Sequence, residues 1–226
     1  MTQFEEDYRT LKPGQGVIDP GRPLAPPRLT PPPEPKRLAP IAPPAVRPPA
    51  ATNRLAALPA RPLCRLFPLS QEASRLLAEE QMLLAYLGRL MSEGLFVDAV
   101  LLLAHALSPR DGVRWACECA RSTARSTAGQ AALAKAEAWL NRPNEQSRRA
   151  CGEAATGTAT AAGSVALAVF HSGAAPVDRP AGSSNAQLPA RAVANAVILA
   201  AMSEPGRSRE RYLRYLKDGI ALAAGR

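Results

Sequence analysis

The chain has 226 residues, of which 46% are hydrophobic but only 4% aromatic, with 23 prolines and a formal net charge of +9. Seventeen prolines fall in residues 1–68 and six in 69–226, so at roughly 150 residues per domain the chain reads as one packed domain behind a proline-rich arm. Alanine, at 45 residues, carries much of the apolar count, which favours closely packed helices over a β-sandwich or barrel. The charge excludes less than its size suggests: residues 69–226 hold 18 Lys/Arg against 14 Asp/Glu. No basic run alternates with aromatic platforms, so no nucleic-acid partner is expected.

Residues 1–12 form a short mixed segment. Phe4, Tyr8 and Leu11 are spaced for one helical face, with Glu5, Glu6 and Asp7 between them. The segment reads as a frayed tail or, alternatively, as a short linear motif displayed for a partner. Its acidic start lacks the positive and apolar regions of a secretory signal. Residues 13–65 read as a disordered proline-rich linker, because proline restricts φ and removes backbone donors, leaving extended polyproline II. Pro23–Arg28 and Arg37–Pro43 fit basic-flanked PxxP patterns; they serve as ligands for aromatic grooves or simply as spacer.

The helical domain is expected over 66–226. Ser70 with Glu72 offers an N-terminal cap, and leucines at helical spacing predict an amphipathic helix over about 71–92, stopped at Gly94. A second helix, about 95–107, is apolar nearly all round and reads as central and buried. Ser108-Pro109-Arg110-Asp111 places a cap, a first-turn proline and a capping-box acid in order, opening a third helix. Further helices are predicted over 130–141, from Pro143 to Ala154, over 160–171, from Pro189 and from Ser208 or Arg209. The fold class is therefore all-α, an irregular multi-helix bundle or a short α-solenoid. The uncharged run 154–177 is long enough to span a bilayer, but its Ala, Gly, Ser and Thr content argues against insertion, and no membrane span is expected.

No motif for nucleophilic, phosphate-binding or zinc chemistry is present, and no cofactor or metal is expected. Cys64, Cys117, Cys119 and Cys151, without a secretory signal, point to a reducing, cytoplasmic setting. Cys117 and Cys119, two apart on a helix, point about 200° apart and do not share a metal. Cys119–His105 and Cys151–His171 are the pairings left open for a cysteine-dependent enzyme. Arg121, Arg125, Arg148 and Arg149 read as solvent-exposed or, alternatively, as the frame of an anion groove. Trp115 and Trp139 read as packing anchors, with the region around them expected to contact a partner.

The segments SPRDGVRWACECAR (residues 108–121), AKAEAWLNRPNEQSRRACGEAA (134–155) and ALAVFHSG (166–173) resemble a family of uncharacterised bacterial all-helical proteins. The resemblance covers about 66–224 and carries no established activity. It implies an accessory role beside bacterial secretion systems, type VI in particular. The expectation is a non-enzymatic cytoplasmic adaptor that binds protein partners through Phe4, Tyr8 and Leu11 on the arm and the Trp115/Trp139 region of the domain. An immunity-like inhibitor that occludes a toxin, and a small cysteine-dependent enzyme, are the alternatives.

Overall fold

The computed structural model describes residues 54–155, 159–173 and 184–225. Phe4, Tyr8, Leu11 and the PxxP stretches lie outside the described residues, which all fall within one unit, Arg47–Arg226. Packed structure begins earlier than the expected boundary at residue 66. A 3-10 turn at Arg54–Ala57 leads into α1 (Ala60–Cys64), and Leu55, Ala60 and Cys64 are all core residues. Prolines at 59 and 62 do not prevent this, because the first helical turn has no internal use for their missing N–H groups.

The single helix expected over 71–92 is two: α2 (Gln71–Leu76) and α3 (Leu83–Ser92). The break has a tertiary cause. The N–H of Ala60 donates to the Gln81 carbonyl at 2.9 Å, and that of Leu83 to the Leu58 carbonyl at 2.9 Å. Together they make a one-rung antiparallel bridge between Pro59 and Met82. Met82 is thereby held in extended backbone just before α3, and Gln81 Oε1 accepts the N–H of Ala78 at 3.0 Å in the turn.

α3 ends on Gly94 at φ 76°. The Gly94 N–H donates to the Met91 carbonyl and that of Leu95 to the Leu90 carbonyl, a Schellman closure that needs the left-handed residue. There follow α4 (Phe96–Ala106), α5 (Pro109–Arg121), α6 (Thr127–Asn141) and α7 (Glu145–Ala155). The remaining helices are α8 (Ala161–His171), α9 (Leu188–Met202) and α10 (Ser208–Ala223). The cap at Ser108 forms, with its Oγ accepting the Asp111 N–H, while Asp111 Oδ2 accepts the Ser108 hydroxyl at 2.7 Å rather than its backbone N–H. Ser126, Asn144 and Thr160 cap α6, α7 and α8 by accepting the N–H three residues on. The Ser126 cap starts α6 three residues before its expected position.

The helices close into a bundle rather than a solenoid. α9 packs against α4, α5, α8 and α10, whereas solenoid repeats touch only their neighbours. Trp115 Nε1 donates to the Tyr215 carbonyl at 2.7 Å across 100 residues of chain. The helix buried on most sides is α8, where eight of eleven residues are buried and α5, α6, α7 and α9 surround it. α4 was expected in that place but keeps Val97 exposed. Small side chains let neighbouring backbones approach α8 closely, as where Asn195 of α9 donates to Ser164 Oγ at 2.8 Å. No described helix is long and apolar enough to cross a membrane.

Candidate functional site

The cysteines come first, because a thiol would be the chain's best nucleophile. All four are free and buried. Burial pushes the Cys64 and Cys151 thiols up to about 11 and the Cys117 thiol up to about 12, and raises Cys119 further. For Cys64 the nearby Asp98 carboxylate adds to the rise, and for Cys117 the carboxylate of Glu137 does so. A nucleophilic cysteine has its thiol lowered, in an electropositive and partly open setting; these four have the opposite environment.

Neither histidine activates a thiol. His105 Nδ1 bonds to the Leu101 carbonyl at 2.8 Å, and its Nε2 has no hydrogen-bond partner, so the Cys119–His105 pairing is not formed. Burial lowers the affinity of His105 for a proton more than the Leu101 carbonyl raises it, and Arg191 adds to the lowering. His171, at the end of α8, meets the Phe170 ring edge-on at 5.4 Å. Three of the four arginines considered for an anion groove are paired: Arg121 with Glu137, and Arg148 and Arg149 both with Glu145. Arg148 also donates to the Phe170 carbonyl and lies over that ring. Among the described residues, no group of three or more His, Cys, Asp or Glu is placed to hold a metal ion.

Trp115 is fully buried and Trp139 nearly so. Both act as the packing anchors the sequence suggests, and neither indole itself offers a face to a partner. Gly219 explains the depth of Trp115. A Cβ there would lie 2.8 Å from Trp115 Cε2 and 2.9 Å from Leu103 Cδ2, so α10 reaches the indole only because residue 219 has no side chain.

The best-exposed large apolar side chains among the described residues are Val97, at 46%, and Met202, at 58%. They belong to one end of the bundle. α4 and α9 run antiparallel, since the end of α4 and the start of α9 share a cavity wall, which brings the start of α4 toward the end of α9. The first turns of α10 bridge the two. Tyr212 stacks on Phe96 at 5.4 Å with the rings 7° from parallel, and the Arg209 guanidinium lies 5.7 Å from the Phe96 centroid. Arg211 donates to the Ala200 carbonyl at 3.0 Å and pairs with Glu204, which Arg207 also approaches. This end leaves two apolar side chains exposed and carries a cation held over an aromatic ring rather than against a carboxylate. It can accept an apolar side chain with an acidic neighbour. Helical periodicity did not single out Val97, because α4 is apolar nearly all round and its spacing does not say which side stays open.

The fold and this surface together define a helical scaffold with sealed thiols and one apolar, cation-flanked end. The chain belongs to a family of unknown function, DUF6931, which matches residues 86–223, from within α3 to the last residue of α10. The match starts later than the resemblance seen in the sequence, and α1 and α2 precede it. No curated protein matches the chain, and no solved structure does.

Proposed function

We propose that the protein is a non-enzymatic cytoplasmic adaptor that binds one protein partner through the end of the bundle formed by α4, α9 and α10, and another through Phe4, Tyr8 and Leu11 of its N-terminal segment. The observation that carries this reading is the exposure of Val97 and Met202 at the end of the bundle where Arg209 lies over the Phe96 ring. The sealed cysteines support the non-enzymatic half. A setting beside a bacterial secretion system belongs to the same reading and rests on the sequence resemblance alone. A tether between two binding segments raises the local concentration of one partner at the other without adding contacts.

The test is cross-linked capture in cells with full-length protein, a deletion of residues 1–12, and a Val97→Asp/Met202→Asp double variant. The deletion is expected to lose one captured protein and leave the unfolding temperature of the helical unit unchanged. The double variant is expected to lose a different one, with stability moved by no more than about 0.5 kcal/mol per exposed site. If every captured protein survives both changes, the adaptor reading fails.

A further inference from the structure

At the other end of α4, the C-terminal turn of that helix and the first turns of α5 and α9 enclose a half-open cavity of about 250 Å³. Leu107, Pro109, Pro189 and Val193 make its walls apolar, and its polar lining comes from His105, Ser108 and Gln187. Among the described residues, no Lys, Arg, Asp or Glu lines it. Ser108 is already engaged with Asp111 in the α5 cap.

His105 is different. A carbonyl oxygen only accepts hydrogen bonds, so the 2.8 Å contact with Leu101 requires the proton on Nδ1 and leaves a lone pair on Nε2. That atom is closed to solvent and has no donor. The ring is held from behind by Phe67, stacked at 4.8 Å. A buried acceptor left unpaired is destabilising. Water is a poor remedy, because an ordered water needs two to four polar partners and these walls offer few.

We propose that this cavity binds a small, uncharged ligand with an apolar body and one hydroxyl or N–H group, which donates to His105 Nε2. The described lining is uncharged, which favours an uncharged ligand over phosphates, carboxylates and ammonium groups, whose hydration is lost on entry. The volume lies just below that of drug-sized pockets, which run from about 300 Å³ upward, and so suits a ligand of one ring or a short branched chain. Nε2 is closed to solvent, so ligand binding has to turn the imidazole until that atom faces the cavity.

Full-length protein with ¹⁵N-labelled histidine is titrated with phenol, benzyl alcohol and indole, and in parallel with toluene, which has the apolar body but no donor. At least one donor probe is expected to bind saturably and shift the His105 Nε2 resonance while leaving His171 in place. Toluene is expected to bind about tenfold more weakly, the equivalent of one hydrogen bond of about 1.4 kcal/mol. His105→Phe keeps the ring stack and removes the acceptor, so it should bring the donor probes down to toluene's affinity. Ala190→Phe, which puts a ring into the cavity, should abolish binding of all four. The proposal is overturned if no probe shifts Nε2 saturably, or if toluene matches the donor probes. It is equally overturned if His105→Phe leaves the donor preference intact, a result readable even where Ala190→Phe fails to fold.

Discussion

Gly88 and Gly219 are both interior helix residues, and backbone propensity treats them alike: glycine costs about 1 kcal/mol relative to alanine in either place. Their surroundings set them apart. A Cβ at Gly88, on the exposed side of α3, meets nothing within 4 Å, whereas one at Gly219 collides with Trp115 and Leu103. Gly88→Ala should therefore stabilise the protein by up to about 1 kcal/mol. Gly219→Ala should lose the overpacking cost of about 1–3 kcal/mol, of which the propensity gain offsets only part. At about 2–4 °C per kcal/mol for a unit of this size, thermal unfolding separates the two variants in sign. Equal shifts in the same direction would contradict the packing described around the Trp115 indole. The sequence made Trp115 legible as an anchor, because a lone large aromatic among small and charged residues on a helix has few other uses. Gly219 was not legible, since only the approach of α10 to α5 gives it a role.

At the scale of elements, the telling feature is how α2 is held. It is only six residues long, too short to persist without tertiary support. Ser70 caps it by accepting the Ala73 N–H at 3.1 Å, as the sequence suggests. The cap is in turn gripped by Asp98 of α4. One carboxylate oxygen accepts the Ser70 N–H and the other accepts its hydroxyl, both at 2.9 Å. Tyr86 of α3 completes the attachment by donating to the Ala73 carbonyl at 2.6 Å. Asp98 is buried, and removing its carboxyl leaves two donors unpaired. Asp98→Ala should cost about 2–3 kcal/mol, the range for a hydrogen-bonded charged group. Asp98→Asn retains one acceptor and should cost about half as much. Hydrogen exchange at the Ser70 and Ala73 amides should rise more in the alanine variant than in the asparagine variant. Unchanged protection in both would remove Asp98 from the attachment. In the sequence, Asp98 shows only as a charge interrupting an apolar run. Its partner lies 28 residues away, and no local pattern announces such a pairing.

For the whole molecule, the four thiols report on the fold. Each is buried with its pKa raised, so in the native protein at pH 8 a disulfide reagent should titrate fewer than one thiol over minutes, and all four once denaturant is added. One thiol reacting fast in the native state would restore the cysteine-dependent enzyme as a live alternative. Sequence alone determined the class of this protein. Alanine content, capping residues and helical spacing are local properties, and they placed seven of the ten described helices within a few residues of their observed starts or ends, including the cap at Ser108. It also separated the proline-dense stretch from the helical part. Only the tertiary structure decided where packing begins, because Leu55, Ala60 and Cys64 join the core by closing a bridge onto Met82. It split the helix expected over 71–92 for the same reason, put α8 rather than α4 at the centre, and chose which apolar residues stay outside. A helix that is apolar nearly all round carries no record of which face its neighbours will cover; Val97 and Met202 are exposed, and Trp115 and Trp139 are not, because of how α4, α5, α9 and α10 come together.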